Sequence, residues 1–151
     1  MRLVVVALVA IVLLIAIGAV EASVSAQQLA ATVGRPRLEN AGVIVTAAGL
    51  LASTVVYIVL GHLADDDRKA LRAGAITGTL AGLVGGSLRV VIIGGPVAGI
   101  VGRYAAVPDW FVPSALTVFV VLSCVASALG GGALAWTGHR LSRAARSRPP
   151  A

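Results

Sequence analysis

Four long runs of apolar residues, separated by short polar segments, dominate the chain. They cover residues 3–21, 41–61, 72–94 and 113–136. Because an α-helix rises about 1.5 Å per residue, roughly 20 apolar residues cross the hydrocarbon layer of a bilayer. The pattern predicts an all-α integral membrane protein, a four-transmembrane-helix bundle. It forms a single domain over residues 1–139 and ends in a basic tail, residues 140–151.

The third apolar run is too long for one simple crossing. It stays apolar over residues 71–102 except for Arg89, and it contains two glycines and a proline at Gly94–Pro96. Proline removes a helical hydrogen bond and glycine weakens the turn before it. We therefore expect a break or kink in helix three there. The segment that follows, VAGIVG, should lie at the membrane interface or form a short re-entrant piece packed on protein.

The first apolar run has a competing interpretation as a cleavable signal peptide. Arg2 supplies a minimal positive region, and Val24-Ser25-Ala26 is an acceptable cleavage site, so residues 1–26 would be removed. The run is longer than the usual apolar core of a signal peptide, about 7 to 15 residues. This favours an uncleaved helix that extends beyond the membrane and ends near Gly34 and Pro36.

Composition separates this chain from soluble classes. Hydrophobic residues make up 58% of it and charged residues 12%, whereas soluble domains carry about a quarter charged residues. The formal net charge of +6 could indicate a nucleic-acid partner. However, the basic residues form short clusters between apolar runs and are not interleaved with aromatics, a pattern typical of membrane flanks. The predicted partner is therefore the lipid bilayer and not nucleic acid.

The basic residues also predict an orientation in the cell membrane. With an even number of spans, eight of them fall on one side: Arg2, Arg68, Lys69, Arg72, Arg140, Arg143, Arg146 and Arg148. Three fall on the other side: Arg35, Arg37 and Arg103. Cytoplasmic loops carry the excess of lysine and arginine. Both the N-terminus and the C-terminus are therefore predicted to be cytoplasmic.

The most specific pattern is a stripe of small residues. In helix three, glycines recur every four residues and so share one face: Gly74, Gly78, Gly82 and Gly86. Helix four carries a similar series: Ser123, Ser127, Gly131 and Ala135. In lipid, small residues hold helices together because they let backbones approach closely. The spacing predicts that helices three and four pack through these stripes, or that the glycine stripe meets its copy in another subunit. A chance spacing in a glycine-rich chain is the alternative.

Arg89 is the one charge deep within an apolar run, and it falls on the glycine-stripe face of helix three. A lipid-facing arginine is costly, so a partner is expected. Counting along the helices places Arg89 and Glu21 at a similar height, near the outer boundary of the membrane. The sequence predicts an intramembrane Glu21–Arg89 ion pair. Arg89 could instead bind an anionic substrate or lipid headgroup, or extend its side chain to the interface.

Two further polar clusters have mainly structural interpretations. His62 and Asp65–Asp67 contain metal-ligand side chains, but an aspartate before a helix caps its free amides, so we predict capping and no metal site. The arginine tail after residue 140 either binds anionic lipid headgroups or simply sets the orientation.

Catalytic and cofactor-binding residues are not indicated. There is no H-E-x-x-H motif, no serine with a histidine and an acid at a common depth, and no carboxylate pair in a span. IIGGPVAG lacks the spacing and the lysine of a phosphate-binding loop. The favoured function is a structural or accessory membrane module, forming a homo-oligomer or binding a larger membrane partner. The alternative is a subunit of an oligomeric transporter or channel, with Arg89 at an anion or lipid-headgroup site.

The predicted orientation can be tested by cysteine labelling in intact cells. In a Cys124→Ala background, single cysteines introduced as Asp67→Cys and Ser147→Cys should be protected from a membrane-impermeant thiol reagent, because both positions are predicted to be cytoplasmic. Labelling of either cysteine would overturn the orientation.

Overall fold

The computed structural model describes residues 2–32, 41–104 and 107–146, and this part of the chain consists of four α-helices without strands. The helices are α1 (Arg2–Thr32), α2 (Ala41–His62), α3 (Asp67–Tyr104) and α4 (Phe111–Arg146). Each is long and apolar enough to cross a membrane. The fold therefore fits a multi-pass membrane protein. The expected stop at Gly34 and Pro36 lies outside the described residues.

Each predicted apolar run lies inside one helix, but three of the helices extend well beyond their run. Helix α4 begins at Phe111, two residues before Pro113, because proline is tolerated in a first turn whose amides have no helical partner. It continues through residues 140–146, so this half of the predicted tail is part of α4. Arginine, leucine and alanine favour helix whether or not lipid surrounds them.

Helix α3 continues through the position where a break was expected. It is helical from Asp67 to Tyr104, with Pro96 inside it. A proline removes one backbone hydrogen bond, and membrane helices tolerate this because neighbouring groups satisfy the freed carbonyl. Residues 97–102 are thus a continuation of α3 and not a separate re-entrant piece. A kink without loss of helical structure stays a prediction.

The four helices alternate in direction. Along the chain, α1 packs on α2 and α3, and α4 packs on α3 and α2. In the described residues α1 and α4 do not contact each other, and α2 touches α3 only slightly. We call the end that carries the α2–α3 connection, residues 63–66, the loop end, and the opposite end the far end.

Burial in the bundle differs from burial in a soluble protein. Among the most buried residues are the small or polar Ala22, Thr77, Ala135 and His139, while large apolar side chains such as Val43 point outward. Soluble proteins bury valine and leucine and expose polar groups. In lipid, apolar side chains gain nothing by leaving the solvent, so close packing of small residues decides which faces meet.

Candidate functional site

The most extensive helix contact is the seam between α3 and α4. A Cβ atom placed on Gly74 would overlap the carbonyl oxygen of Gly131, and one on Gly78 would overlap that of Ser127. On Gly82 it would lie 2.8 Å from the carbonyl oxygen of Ser123. At Gly86 the fit loosens, with the Ser123 Cβ at 3.4 Å. The two backbones touch along the loop-end half of α3, where a side chain larger than hydrogen does not fit.

Helix α4 makes a second backbone contact, with α2. A Cβ on Gly61 would overlap the carbonyl oxygen of Ala135, and one on Gly138 would overlap that of Ile58. Gly131 is pressed between the Gly74 carbonyl and the Tyr57 ring, whose Cε1 would lie 2.6 Å from an added Cβ. The small residues of α4 thus face two neighbours, α3 and α2, at the loop end.

Glu21 of α1 and Arg89 of α3 come together as an ion pair. Arg89 Nη2 donates a hydrogen bond of 2.6 Å to Glu21 Oε2. The Glu21 side chain is 15% exposed and the Arg89 side chain 34%. Gly49 of α2 makes room for the pair, since a Cβ there would overlap Glu21 Oε1. Because Gly49 lies eight residues into α2, the pair sits about 12 Å along the axis from the first residue of that helix.

A cavity of about 440 Å³ lies between the four helices and reaches the ion pair. Its walls carry hydroxyl groups from α2 and α4: Thr46, Ser53, Thr54, Tyr57, Ser123 and Ser127. Thr54 donates its hydroxyl hydrogen to the Leu50 carbonyl within its own helix. The volume falls in the range of small-molecule sites, roughly 300 to 1,000 Å³. This cavity brings the charged pair and the small-residue stripes into one site.

A polar cluster joins three elements at the loop end. The His139 side chain of α4 is buried, with Nδ1 3.0 Å from the carbonyl oxygen of Ala64 and Nε2 3.6 Å from Asp67 Oδ1. Asp67 Oδ1 is buried and has no hydrogen-bond partner within the described residues. Arg140 lies 3.6 Å from Asp67 Oδ2 and stacks over the Trp136 ring. The cluster ties the α2–α3 connection to α4.

Asp65 and Asp66, just before α3, bind groups in the first turn of this helix. Asp66 Oδ1 accepts a hydrogen bond of 2.7 Å from the Lys69 backbone N–H, the geometry of a helix N-cap. This hydrogen bond lowers the pKa of the Asp66 carboxyl below its ordinary value, so the cap is lost only as pH falls through that lowered pKa. Asp65 pairs with Lys69. Among the described residues no cluster of His, Cys, Asp or Glu side chains could hold a metal ion.

The sequence predictions missed His139, Gly49 and the cavity. The sequence did contain a signal for His139 and for Gly49. His139 continues the four-residue series of Ser127, Gly131 and Ala135, which places it on the face toward α3. Gly49 follows Gly42 by seven residues, two helical turns, and both lie against polar side chains of α1. The cavity has no such signal, because it depends on how far the helices diverge.

Comparisons with known proteins identify no family, so the class of protein is judged from the fold. The sequence matches no protein-family model, and neither the curated proteins nor the solved structures give a match. Its four membrane-length helices fit the class of helical multi-pass membrane proteins.

The Glu21–Arg89 pair can be tested by a double-mutant cycle. Arg89→Leu should lower the free energy of unfolding, because Glu21 then keeps a partly buried carboxylate without its cation. Breaking a fully buried pair costs about 3 to 5 kcal/mol, and the exposure of Arg89 should bring the loss below that range. The double variant Glu21→Gln with Arg89→Leu should recover much of the loss. Unfolding would be followed by heating in detergent.

The control for this cycle is Arg103→Leu, which removes an exposed arginine from the same helix and should change stability by less than about 0.5 kcal/mol. The cycle also needs the single variant Glu21→Gln. If the double variant loses as much stability as Glu21→Gln and Arg89→Leu added together, Glu21 and Arg89 do not interact.

Proposed function

We propose that the protein is a structural or accessory module of the cell membrane, with no catalytic chemistry of its own, that assembles with further copies or a larger membrane partner. The observation that carries this proposal is the use of small residues at the helix contacts of α4 with α3 and α2. Such contacts give a small, rigid bundle without a large apolar core. A module of this kind presents preformed helix faces to a partner.

A face of small residues is also proposed as the means of assembly. It is not the glycine stripe of α3, for which packing on helix four and contact with a second subunit were the two alternatives. The stripe at Gly74, Gly78 and Gly82 is occupied by α4 of the same chain. A second set of glycines on α3, Gly95 and Gly99, has nothing within 4 Å of an added Cβ. Their four-residue spacing lets another helix approach as closely as α4 does elsewhere.

A second candidate is a subunit of an oligomeric transporter or channel. The cavity favours it, since a charged pair and hydroxyl groups inside a membrane bundle are typical of substrate paths. The pairing of Arg89 with Glu21 weakens the version in which Arg89 alone attracts an anion, because the carboxylate already neutralises the guanidinium. We therefore rank this function second.

The proposed orientation places the loop end in the cytoplasm. It follows from the eight-to-three distribution of basic residues. In this orientation Arg140, Arg143 and Arg146 lie on the last turns of α4 beyond the apolar span, at a height where they can bind anionic lipid headgroups of the inner leaflet. Arg148 lies outside the described residues.

The function can be tested by measuring the mass of the complex extracted from its own membrane in mild detergent. An accessory module should run as an assembly of fixed composition, well above the 15.1 kDa of one chain. Gly99→Leu should dissociate the assembly, because a leucine keeps a partner helix at a distance. Leu83→Ile, a change at an exposed position on roughly the opposite face of the same helix, should leave its mass unchanged.

A wild-type protein that is extracted only as the single chain would contradict the accessory function. An assembly that persists in Gly99→Leu would show that assembly uses another face. Anion flux through liposomes that contain the purified protein, abolished by Arg89→Leu, would favour the transporter subunit instead.

A further inference from the structure

Exposed lining residues on α2 and α4 indicate that the cavity opens sideways between these helices, in the far-end half of the bundle. Its wall residues there are themselves exposed on the outer surface: Leu50 on α2, and Phe119 and Ala126 on α4. At the loop end the same two helices close on each other through Gly61 and Gly138. In a membrane, an opening at this position faces lipid and not water.

The Glu21–Arg89 pair places a positive and a negative charge side by side near this opening. Within the described residues Arg89 donates one hydrogen bond, whereas a guanidinium carries five N–H donors. Glu21 is an acceptor next to it. A ligand with an anionic and a cationic group can therefore meet both side chains, whereas a purely anionic ligand meets Arg89 and is repelled by the Glu21 carboxylate.

We propose that the cavity binds a phospholipid with a zwitterionic, amine-bearing headgroup. The phosphate accepts hydrogen bonds from Arg89, the ammonium group donates to Glu21, and one acyl chain lies along the apolar wall that includes Leu14 and Leu50. Arginine suits phosphate because its planar fork matches the phosphate oxygens. This binding goes beyond the proposed accessory function and does not depend on which partner the module joins.

Helix α1 supplies a polar route from the membrane surface to the pair. Beyond Glu21, on the same face of the helix, α1 carries Ser25 and Gln28, both half-buried polar side chains. A headgroup can follow these side chains inward instead of crossing bare hydrocarbon, where an unpaired charge is costly. The mainly apolar walls deeper in the cavity then favour a chain-bearing lipid over a free, water-soluble zwitterion.

The proposal is tested by native mass spectrometry of the purified protein in dodecyl maltoside. The probes are phosphatidylethanolamine and phosphatidylglycerol with identical acyl chains, which differ only in the headgroup. Phosphatidylethanolamine should bind with a Kd at least about tenfold lower, because only its ammonium group gains a charge-assisted hydrogen bond to Glu21. In the double variant Glu21→Gln with Arg89→Leu the two lipids should bind within about twofold of each other.

A matched pair of variants separates the cavity from lipid bound at the general surface. Leu50 and Leu51 are each 69% exposed, but only Leu50 lines the cavity. Leu50→Trp should obstruct the opening and weaken binding of phosphatidylethanolamine about tenfold, while Leu51→Trp should leave it unchanged. Both variants keep the ion pair, so a folding defect in the charge variants does not decide the result.

Three outcomes would overturn the proposal. The first is equal or tighter binding of phosphatidylglycerol to the wild-type protein. The second is the same loss of binding in Leu51→Trp as in Leu50→Trp, which would place the lipid on the general surface. The third is displacement of the lipid by free alanine at millimolar concentration, which would make the ligand a soluble zwitterion. None of these outcomes affects the mass of the assembly, so the lipid-binding proposal and the accessory function are tested separately.

Discussion

The backbone contact between α3 and α4 is the interaction on which the rest of the bundle depends. Gly74 and Gly78 have no side chains, and the carbonyl oxygens of Gly131 and Ser127 lie where side chains would be. In lipid there is no solvent-driven collapse to bring helices together, so dispersion contacts between closely spaced backbones must do so. That closeness fixes the height of α4 against α3, and thereby the height at which α2 meets α4.

The extent of this contact also explains why α3 and α4 separate toward the far end. Close approach ends near Gly86, and beyond it α3 and α4 diverge around an apolar groove of about 850 Å³ that includes Gly94 and Leu116. Contacts of α2 with α4 are likewise at the loop end. Helices that are held together at the loop end therefore lie farther apart toward the far end. The cavity lies on the side of the seam that faces α1 and α2, since Gly82, Ser123 and Ser127 also line it. The Glu21–Arg89 pair holds α1 and α3 together beside it.

The sequence alone was sufficient for the parts of the fold that depend on local chemistry. Apolar run length predicted four helices, and charge at matching heights pointed to Glu21 and Arg89, which the structure brings within 2.6 Å. The ends of the helices were harder to predict, because hydropathy shows where the chain crosses the membrane and not how far the helix continues beyond it. At Pro96 one missing hydrogen bond did not outweigh the helical structure on both sides. The cavity required three-dimensional knowledge, since residues on four helices form its wall.

The most direct test of the α3–α4 contact is a disulfide across the seam. A Cβ on Gly132 would lie 3.6 Å from the Cβ of Ala75, within the range of roughly 3.5 to 4.5 Å found in disulfides. In a Cys124→Ala background, Ala75→Cys with Gly132→Cys should lose both free thiols on mild oxidation while the chain stays monomeric. Ala75→Cys with Gly130→Cys, whose added Cβ meets nothing within 4 Å, should keep them. Free thiols in the first pair, or equal oxidation in both, would contradict the account.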